Sequence, residues 1–386
     1  MWEKVKLGDV ATFVNGYAFK PSDWSDEGLE IIRIQNLTKS SSESNYYKGV
    51  LDSKYQITRG DILISWSATL GVYIWERPDG WLNQHIFKVV FNKIEINKPF
   101  FIYLIQHVLD DLKAKVHGAT MKHITKGNFD NTLVPLPPLP IQEKIAAILD
   151  KADELRRKDK GLQAKYDELA QAIFIDMFGD PVRNEKGWEV KKLEKYIDSI
   201  VDVGSNGAND WVSKNIQMKD TEDYAIMIRT TNLTKNDFIN NLKYVSRDTY
   251  ELFNKTKVYG GEMIMNKIGS AGDFWLMPYL NRPVSLGLNQ LMIKISNINM
   301  TFLLKQMSIN SFKKYIKSKT QGAITKSITK GAVKDLEIIL PPIALQEEFA
   351  KKIDIINKLK AQANTAKSEE LFQVLLQKAF NGKLVS

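Results

Sequence analysis

Cysteine is absent from all 386 residues. That excludes a disulfide framework and any thiolate zinc site, and a reducing cytoplasm is the compartment it fits. Histidine is scarce, and the four at positions 85, 107, 117 and 123 show no spacing that suits a metal. No apolar run approaches the ~18 residues a membrane helix needs, so no membrane role is expected. The opening Met1-Trp2-Glu3-Lys4-Val5-Lys6 lacks the apolar core of a signal peptide. There is no Gly-x-x-x-x-Gly-Lys-Ser/Thr phosphate loop and no Asn-Pro-Pro-Tyr-type segment of the sort an adenine methyltransferase carries, so isolated catalysis is not expected. Carboxylates are the minority charge. The 45 Asp and Glu against 54 Lys and Arg leave a net +9 and a pI near 9.2, which favours a polyanionic partner.

What is present is a duplication, in a chain of 44.1 kDa that is long enough for two or three domains. The first copy carries Trp2 and Leu7, Ile32-Arg33-Ile34-Gln35-Asn36-Leu37-Thr38-Lys39, Gly60-Asp61-Ile62-Leu63, Leu82-Asn83-Gln84, Thr125-Lys126-Gly127, Pro137-Pro138 and Ile141-Gln142-Glu143. The second answers in the same order with Trp188 and Leu193, Ile228-Arg229-Thr230-Thr231-Asn232-Leu233-Thr234-Lys235, Gly261-Glu262-Met263-Ile264, Leu288-Asn289-Gln290, Thr329-Lys330-Gly331, Pro341-Pro342 and Leu345-Gln346-Glu347. The offset is 196 at Arg33/Arg229 and 204 at Lys126/Lys330, a drift the size of loop insertions.

Each copy ends in a helical pattern. After Pro135 to Pro140, where a helix is not expected to have begun, one heptad position reads Ile141, Ile148, Leu155, Leu162 and Leu169. The other reads Ile145, Ala152, Asp159, Tyr166 and Ile173. This predicts a long helix with a coiled-coil seam, loosened near Asp159 and Gly161 and stopped by Phe178-Gly179-Asp180-Pro181. The second copy repeats the device after Pro341-Pro342, with Leu345, Phe349, Ile353, Ile356 and Leu359, then Leu371, Val374, Leu375 and Ala379, its middle nearly all polar or alanine. Two such stripes are buried most simply against each other, and connectivity then makes the helices antiparallel. The segments before them read as mixed α/β, with strands over Leu29–Ile34, Asp61–Trp66 and Ile86–Phe91 and helices over Phe100–Lys115 and Thr301–Lys317.

Related domains on an antiparallel helix pair acquire an approximate two-fold axis, as duplex DNA has, so one chain can grip two unlike half-sites as a dimer grips two like ones. A helix of about 38 residues spans roughly 57 Å, room for a spacer of up to about one DNA turn of 34–36 Å. The alternative is a duplicated protein-interaction adaptor whose basic charge is incidental; a third, a self-sufficient nuclease or methyltransferase, would require turnover by the chain alone.

The segments Val134 to Ile145 and Leu340 to Phe349, the stretch Phe174 to Pro181, and the openings Trp2 to Val10 and Trp188 to Leu193 together resemble the specificity subunit of type I restriction-modification systems. The resemblance covers essentially the whole chain. It implies an α+β fold: two mixed α/β target recognition domains, 1–140 and 181–342, joined by two long antiparallel helices, 141–180 and 343–386, that form a coiled coil with pseudo-two-fold symmetry. It also implies a non-catalytic, cytoplasmic reader of a split, asymmetric site in double-stranded DNA. Such a subunit docks two modification (methyltransferase) subunits, which hold S-adenosylmethionine, and two restriction subunits, which use ATP and Mg²⁺; it holds no cofactor itself. Ile141, Ile148, Leu155, Leu162, Leu169, Phe349, Ile356 and Leu359 are the residues expected at the helix pair and partner docking surface.

Base reading needs donors and acceptors, and phosphate anchoring needs cations and backbone amides. In the first copy this points to the loop Asn15–Lys20, with Asn15, Tyr17 and Lys20, to Lys39–Ser44, and to Lys115–His123, with Lys115, His117, Thr120 and Lys122, followed by Lys126. In the second it points to Ser205–Asn209, with Asn206 and Asn209, to Lys235–Asp237, and to Lys317–Lys326, with Lys319, Thr320, Gln321, Thr325 and Lys326, followed by Lys330. Arg33 and Arg229, with Asn36 and Asn232, recur although the half-sites should differ, so scaffold or phosphate roles suit them better than base reading. Asp202–Asp220 is longer than its counterpart Asn15–Ser25, which makes the two reading surfaces unlike.

Overall fold

Ile62-Leu63-Ile64 and Met263-Ile264-Met265 are buried at every position rather than at every second one. A strand with both faces covered needs that pattern, and the covering is the same in both copies. The computed structural model of the protein describes residues 2–38, 43–67, 69–115, 125–363 and 365–385. The chain divides into two units, Met1–Gly161 with Asn364–Ser386, and Leu162–Ala363.

In the first unit an antiparallel sheet runs Thr12–Asn15, Ile86–Val90, Ile62–Ser65, Gly71–Ile74. One face carries Phe13, Ile62, Ile64, Phe87 and Val89 onto the helix Lys98–Lys115; Leu63 on the other face joins Ile32, Ile57, Trp75 and Leu82. The second sheet runs Asn45–Tyr47, Leu29–Ile32, Gly80–Leu82, Gln56–Ile57, with its central pair parallel. The second unit repeats both: Ile197–Val201, Gln290–Ile295, Met263–Asn266, Phe274–Leu276, and Lys243–Val245, Ala225–Met227, Val284–Ser285, Lys257–Val258, again with a parallel central pair. Each unit also joins its first strand to its last, Lys4–Lys6 to Leu133–Pro135 and Val190–Lys192 to Glu337–Ile339.

The repeated polar residues are structural staples. Gln142, 2% exposed, accepts the Asn97 N–H (3.0 Å) and donates to the Pro137 carbonyl (2.8 Å); Gln346, also 2% exposed, does the same with Asn299 (3.1 Å) and Pro341 (2.8 Å). Asn97 and Asn299 in turn cap the helices that follow by accepting from Phe100 and Phe302. Asn36 and Asn232 accept the N–H of Arg33 and Arg229 at 2.9 and 3.1 Å, so both close a helical turn rather than end a strand.

The first long helix spans Leu139–Phe178, starting earlier than expected because Pro140 falls in the first turn, where its missing N–H costs nothing. Asp159 and Gly161 do not interrupt it. Gly179, at φ +76°, ends it. The expected single second helix is two, Ile343–Gln362 and Thr365–Phe380. The break has a partner: Gln163 donates to the carbonyls of Lys360 (2.9 Å) and Ala363 (2.8 Å), groups that a helix end leaves unbonded. Thr301–Lys317 is likewise two helices, Met300–Ser308 and Asn310–Ser318.

The seam is turned from where apolarity alone puts it. Leu155, Leu162 and Leu169 are 41–45% exposed, Leu359 is 39% exposed, and Ile141 and Ile148 are half-buried. The buried row lies one residue on, at Gln142, Leu149 and Ala170 with Arg156 and Gln163 partly covered, beside Ile145, Ala152, Tyr166 and Ile173. Three of these inward positions are polar because they make specific bonds, and a count of apolar residues skips them. In each unit the packed helices run antiparallel, as a coiled coil. Phe174 meets Phe349 (5.6 Å) and Lys360 pairs with Asp167 (2.6 Å) in one, with Ile356 also buried. In the other, Arg156 lies 4.2 Å over the Phe372 ring and bonds Glu369 at 3.0 Å. Among the described residues no helix is long and apolar enough to cross a membrane.

Candidate nucleic-acid interface

In the second unit three separated segments meet at one carboxylate. Asp202 follows the strand Ile197–Val201, and its side chain is 8% exposed. Lys267, just past the strand Met263–Asn266, reaches it at 2.6 Å, and Lys330 reaches it at 2.8 Å. Lys330 also donates to the Ser205 hydroxyl at 2.8 Å. Burial pushes the Asp202 carboxyl up, but hydrogen bonds from Lys267, Lys330 and Ser205 outweigh it and hold the group well below the usual carboxylate range. One carboxylate thus fixes the base of two candidate contact segments, 202–209 and 317–330.

Several residues expected to touch DNA are used inside this frame. Asn206 donates to Val203 and Thr256 and accepts from the Lys255 N–H. Thr320 donates to the Lys317 carbonyl (2.7 Å), and Lys319 sits 5.1 Å over the Tyr315 ring. Gln321 and Ser327 exchange backbone hydrogen bonds at 2.8 Å, closing a hairpin. Gly322 turns it at φ +98°, where a Cβ would stand 2.3 Å from the Thr325 carbonyl oxygen. The side chains at its tip, Gln321 to Lys326, are all exposed, as is Asn209. Lys235 is exposed at the end of the short helix Thr230–Lys235.

Beside the Arg229 side chain lies a shallow surface pocket lined by Asp220, Ile239, Asn241, Lys243 and Tyr244. Arg229 bonds the Asn241 carbonyl, while its buried Nε has no partner in the structure.

The first unit assembles its counterpart differently. Tyr17 is pinned by its N–H to the Leu82 carbonyl (2.8 Å), after Gly16, where a Cβ would fall 2.1 Å from the Asn83 carbonyl oxygen. The Tyr17 ring meets Phe19 (5.0 Å) and Tyr55 (5.7 Å), and Phe19 meets Tyr47 (5.4 Å). Asn15 and Lys20 are exposed on either side. Arg33 lies over Trp24 at 5.3 Å. Lys126 pairs with Asp130, four residues on, at 2.7 Å. Lys115 ends its helix, and Lys39, His117, Thr120 and Lys122 lie outside the described residues.

Asp202 and Lys267 escaped the motif reading, as did a feature that counting charge along the chain reveals. Residues 274–334 contain ten Lys and Arg and no Asp or Glu. The rest of the chain, with 44 cations and 45 carboxylates, is nearly neutral, so the whole basic excess belongs to this one stretch. Lys334, Lys330, Lys317 and Arg282 find carboxylates on other segments.

Residues 1–165 and 185–373 fit the sequence model of the type I restriction modification DNA specificity domain. Over 413 aligned positions the chain is 22% identical to the type I restriction enzyme EcoBI specificity subunit of Escherichia coli, covering all of this chain and 86% of that one. It is 23% identical to the MjaVIII specificity subunit of Methanocaldococcus jannaschii over 386 positions, 93% of this chain and 86% of the relative. The crystal structure of the type I restriction-modification S subunit from M. genitalium superimposes with a TM-score of 0.52 at 13% identity, covering 98% of this chain and 96% of that one, which shows a common fold. With the family domain present twice and nearly every residue accounted for, this chain belongs to the type I restriction-modification DNA specificity subunits.

Proposed function

We propose that the chain reads an asymmetric, two-part site in double-stranded DNA, one half through each unit, and that its paired helices set the spacer. The observation that carries this reading is one fold built twice with the same buried staples and unlike surfaces: a carboxylate-anchored lysine frame in one unit, an aromatic cluster in the other. Identical surfaces would read a palindrome; these suit two different half-sites.

The chain itself is non-catalytic and works in the cytoplasm. Two modification subunits supply S-adenosylmethionine-dependent adenine methylation and two restriction subunits supply ATP- and Mg²⁺-dependent cleavage; the lack of a phosphate loop or an Asn-Pro-Pro-Tyr segment in this sequence supports that division of labour. Leu155, Leu162 and Leu169, apolar yet exposed, are assigned to docking of the modification subunits.

Methylome sequencing of cells that carry the chain and its modification subunit tests the reading. A split motif is expected, and exchanging 1–140 for the corresponding domain of a relative changes one half only. Change in both halves, or a palindromic motif, defeats it. An adaptor that only binds proteins would give no methylation motif and no duplex affinity that falls steeply with salt.

A further inference from the structure

Ile324 is 99% exposed at the apex of the Gln321–Ser327 hairpin. An isoleucine left wholly in water contributes nothing to folding, yet this one is held in place. The Gln321/Ser327 pair closes the hairpin, and Gly322 supplies a turn that other residues resist. The Gly269 N–H binds the Lys326 carbonyl at 2.9 Å, fastening the hairpin to the loop after the main sheet, and Lys330 secures its far side to Asp202. A floppy loop would let the side chain fold back; this frame keeps it out.

Its surroundings say what it meets. Gln321, Thr325 and Lys326 flank it, Lys319 stands at the hairpin base, and Lys313 and Lys314 are exposed on the preceding helix Asn310–Ser318. None of these four lysines has a carboxylate partner among the described residues, and all belong to the stretch without Asp or Glu. Val50 and Ile239 are nearly as exposed, but carboxylates sit beside them: Glu27 pairs with Lys48, and Asp237 accepts the Ile239 N–H at 3.0 Å. Ile324, unlike Val50 and Ile239, is an apolar point set among lysines that form no ion pair among the described residues.

We propose that Ile324 is a wedge that enters the duplex between two base pairs of the half-site read by the second unit, unstacking that step and bending the DNA there. Apolar side chains on a cationic mount act this way from the minor groove, where partial unstacking is offset by the contacts the bend allows. The inference rests on the DNA-reading function proposed above and adds a local distortion to it. The corresponding position in the first copy, at the 204-residue offset, is Thr120, so the distortion belongs to one half-site.

The test uses the full chain assembled with its modification subunits, on duplexes carrying the methylome-defined site with 2-aminopurine placed at successive positions. In the wild type one position brightens beyond the adenine that methylation extrudes. With Ile324→Thr that signal is lost and affinity drops roughly tenfold, whereas Ile324→Met keeps both. The extruded adenine brightens whatever residue stands at 324, which separates the two events. Tight binding by wild type without a brightening that depends on residue 324 overturns the wedge and leaves the reading function standing. No duplex binding by the wild-type assembly overturns both. If Ile324→Thr instead sheds the modification subunits while assembled complexes bind DNA normally, the side chain is a protein contact and the wedge is wrong.

Discussion

Lys126 and Lys330 stand at the same point of the repeat, each first in a short helix capped by a threonine, yet they are employed differently. Lys126 turns to Asp130 within its own helix; Lys330 crosses to Asp202, 128 residues earlier in the chain, and draws in Lys267. The buried staples do not diverge in this way. Gln142 and Gln346 make the same two bonds, as do Asn97 and Asn299, and Asn36 and Asn232. Duplication preserves what backbone geometry requires and frees the charges that sit above it.

That contrast can be broken most severely in the shared core. Phe372→Ala in one unit and Phe349→Ala in the other each empty a wholly buried ring site and are expected to cost about 3–5 kcal/mol, read by urea unfolding. Comparable losses mean the two cores are equivalent; a loss under about 1 kcal/mol in either would mean that core is looser than its burial implies.

A smaller effect sharpens the difference in charge. Asp202→Asn leaves Lys267 and Lys330 facing each other without their counter-charge, at about 1–2 kcal/mol given that both lysines are partly exposed. Because the Asp202 carboxyl titrates below its unfolded value, its contribution is complete above about pH 4 and fades as pH falls through the folded value. The stability gap between wild type and variant should therefore narrow as pH falls from about 4 toward about 2; a constant gap would show that the charge is not what the variant removes.

The least change is expected from Lys126→Met, which deletes an exposed pair within one helix and should alter stability by less than about 0.5 kcal/mol. Lys330→Met, measured beside it, should cost more. Equal values would erase the distinction drawn between the units.

The duplication, the existence of the long helices and the strand patterns were legible because they rest on period and order, which a sequence displays directly. The seam was misplaced by one residue, since Gln142, Arg156 and Gln163 face inward to bond and hydrophobicity does not register a polar group that is satisfied. The break after Gln362 was hidden for a related reason: alanine and polar residues read equally well as helix surface or helix end, and Gln163, some 200 positions away, decides. Of the proposed contacts, Asn206 and Lys330 are bonded to distant segments of the frame. Loop composition cannot distinguish a side chain that waits for a ligand from one already engaged by a distant segment, and Asp202 is invisible until the fold brings its lysines to it.

Phe372, Leu376, Ala379 and Phe380 complete the core that begins with Leu7, Val10 and Phe13. Between those two groups of residues the ribosome makes all of Leu162–Ala363. The unit begun first must therefore wait, unfinished and with apolar surface uncovered, while the later one is synthesised and can already close on itself. Order of birth and order of maturity are reversed in this protein, and a halt in translation after Ala363 but before the helix Thr365–Phe380 would release a chain whose later unit is whole and whose opening unit is still unsealed.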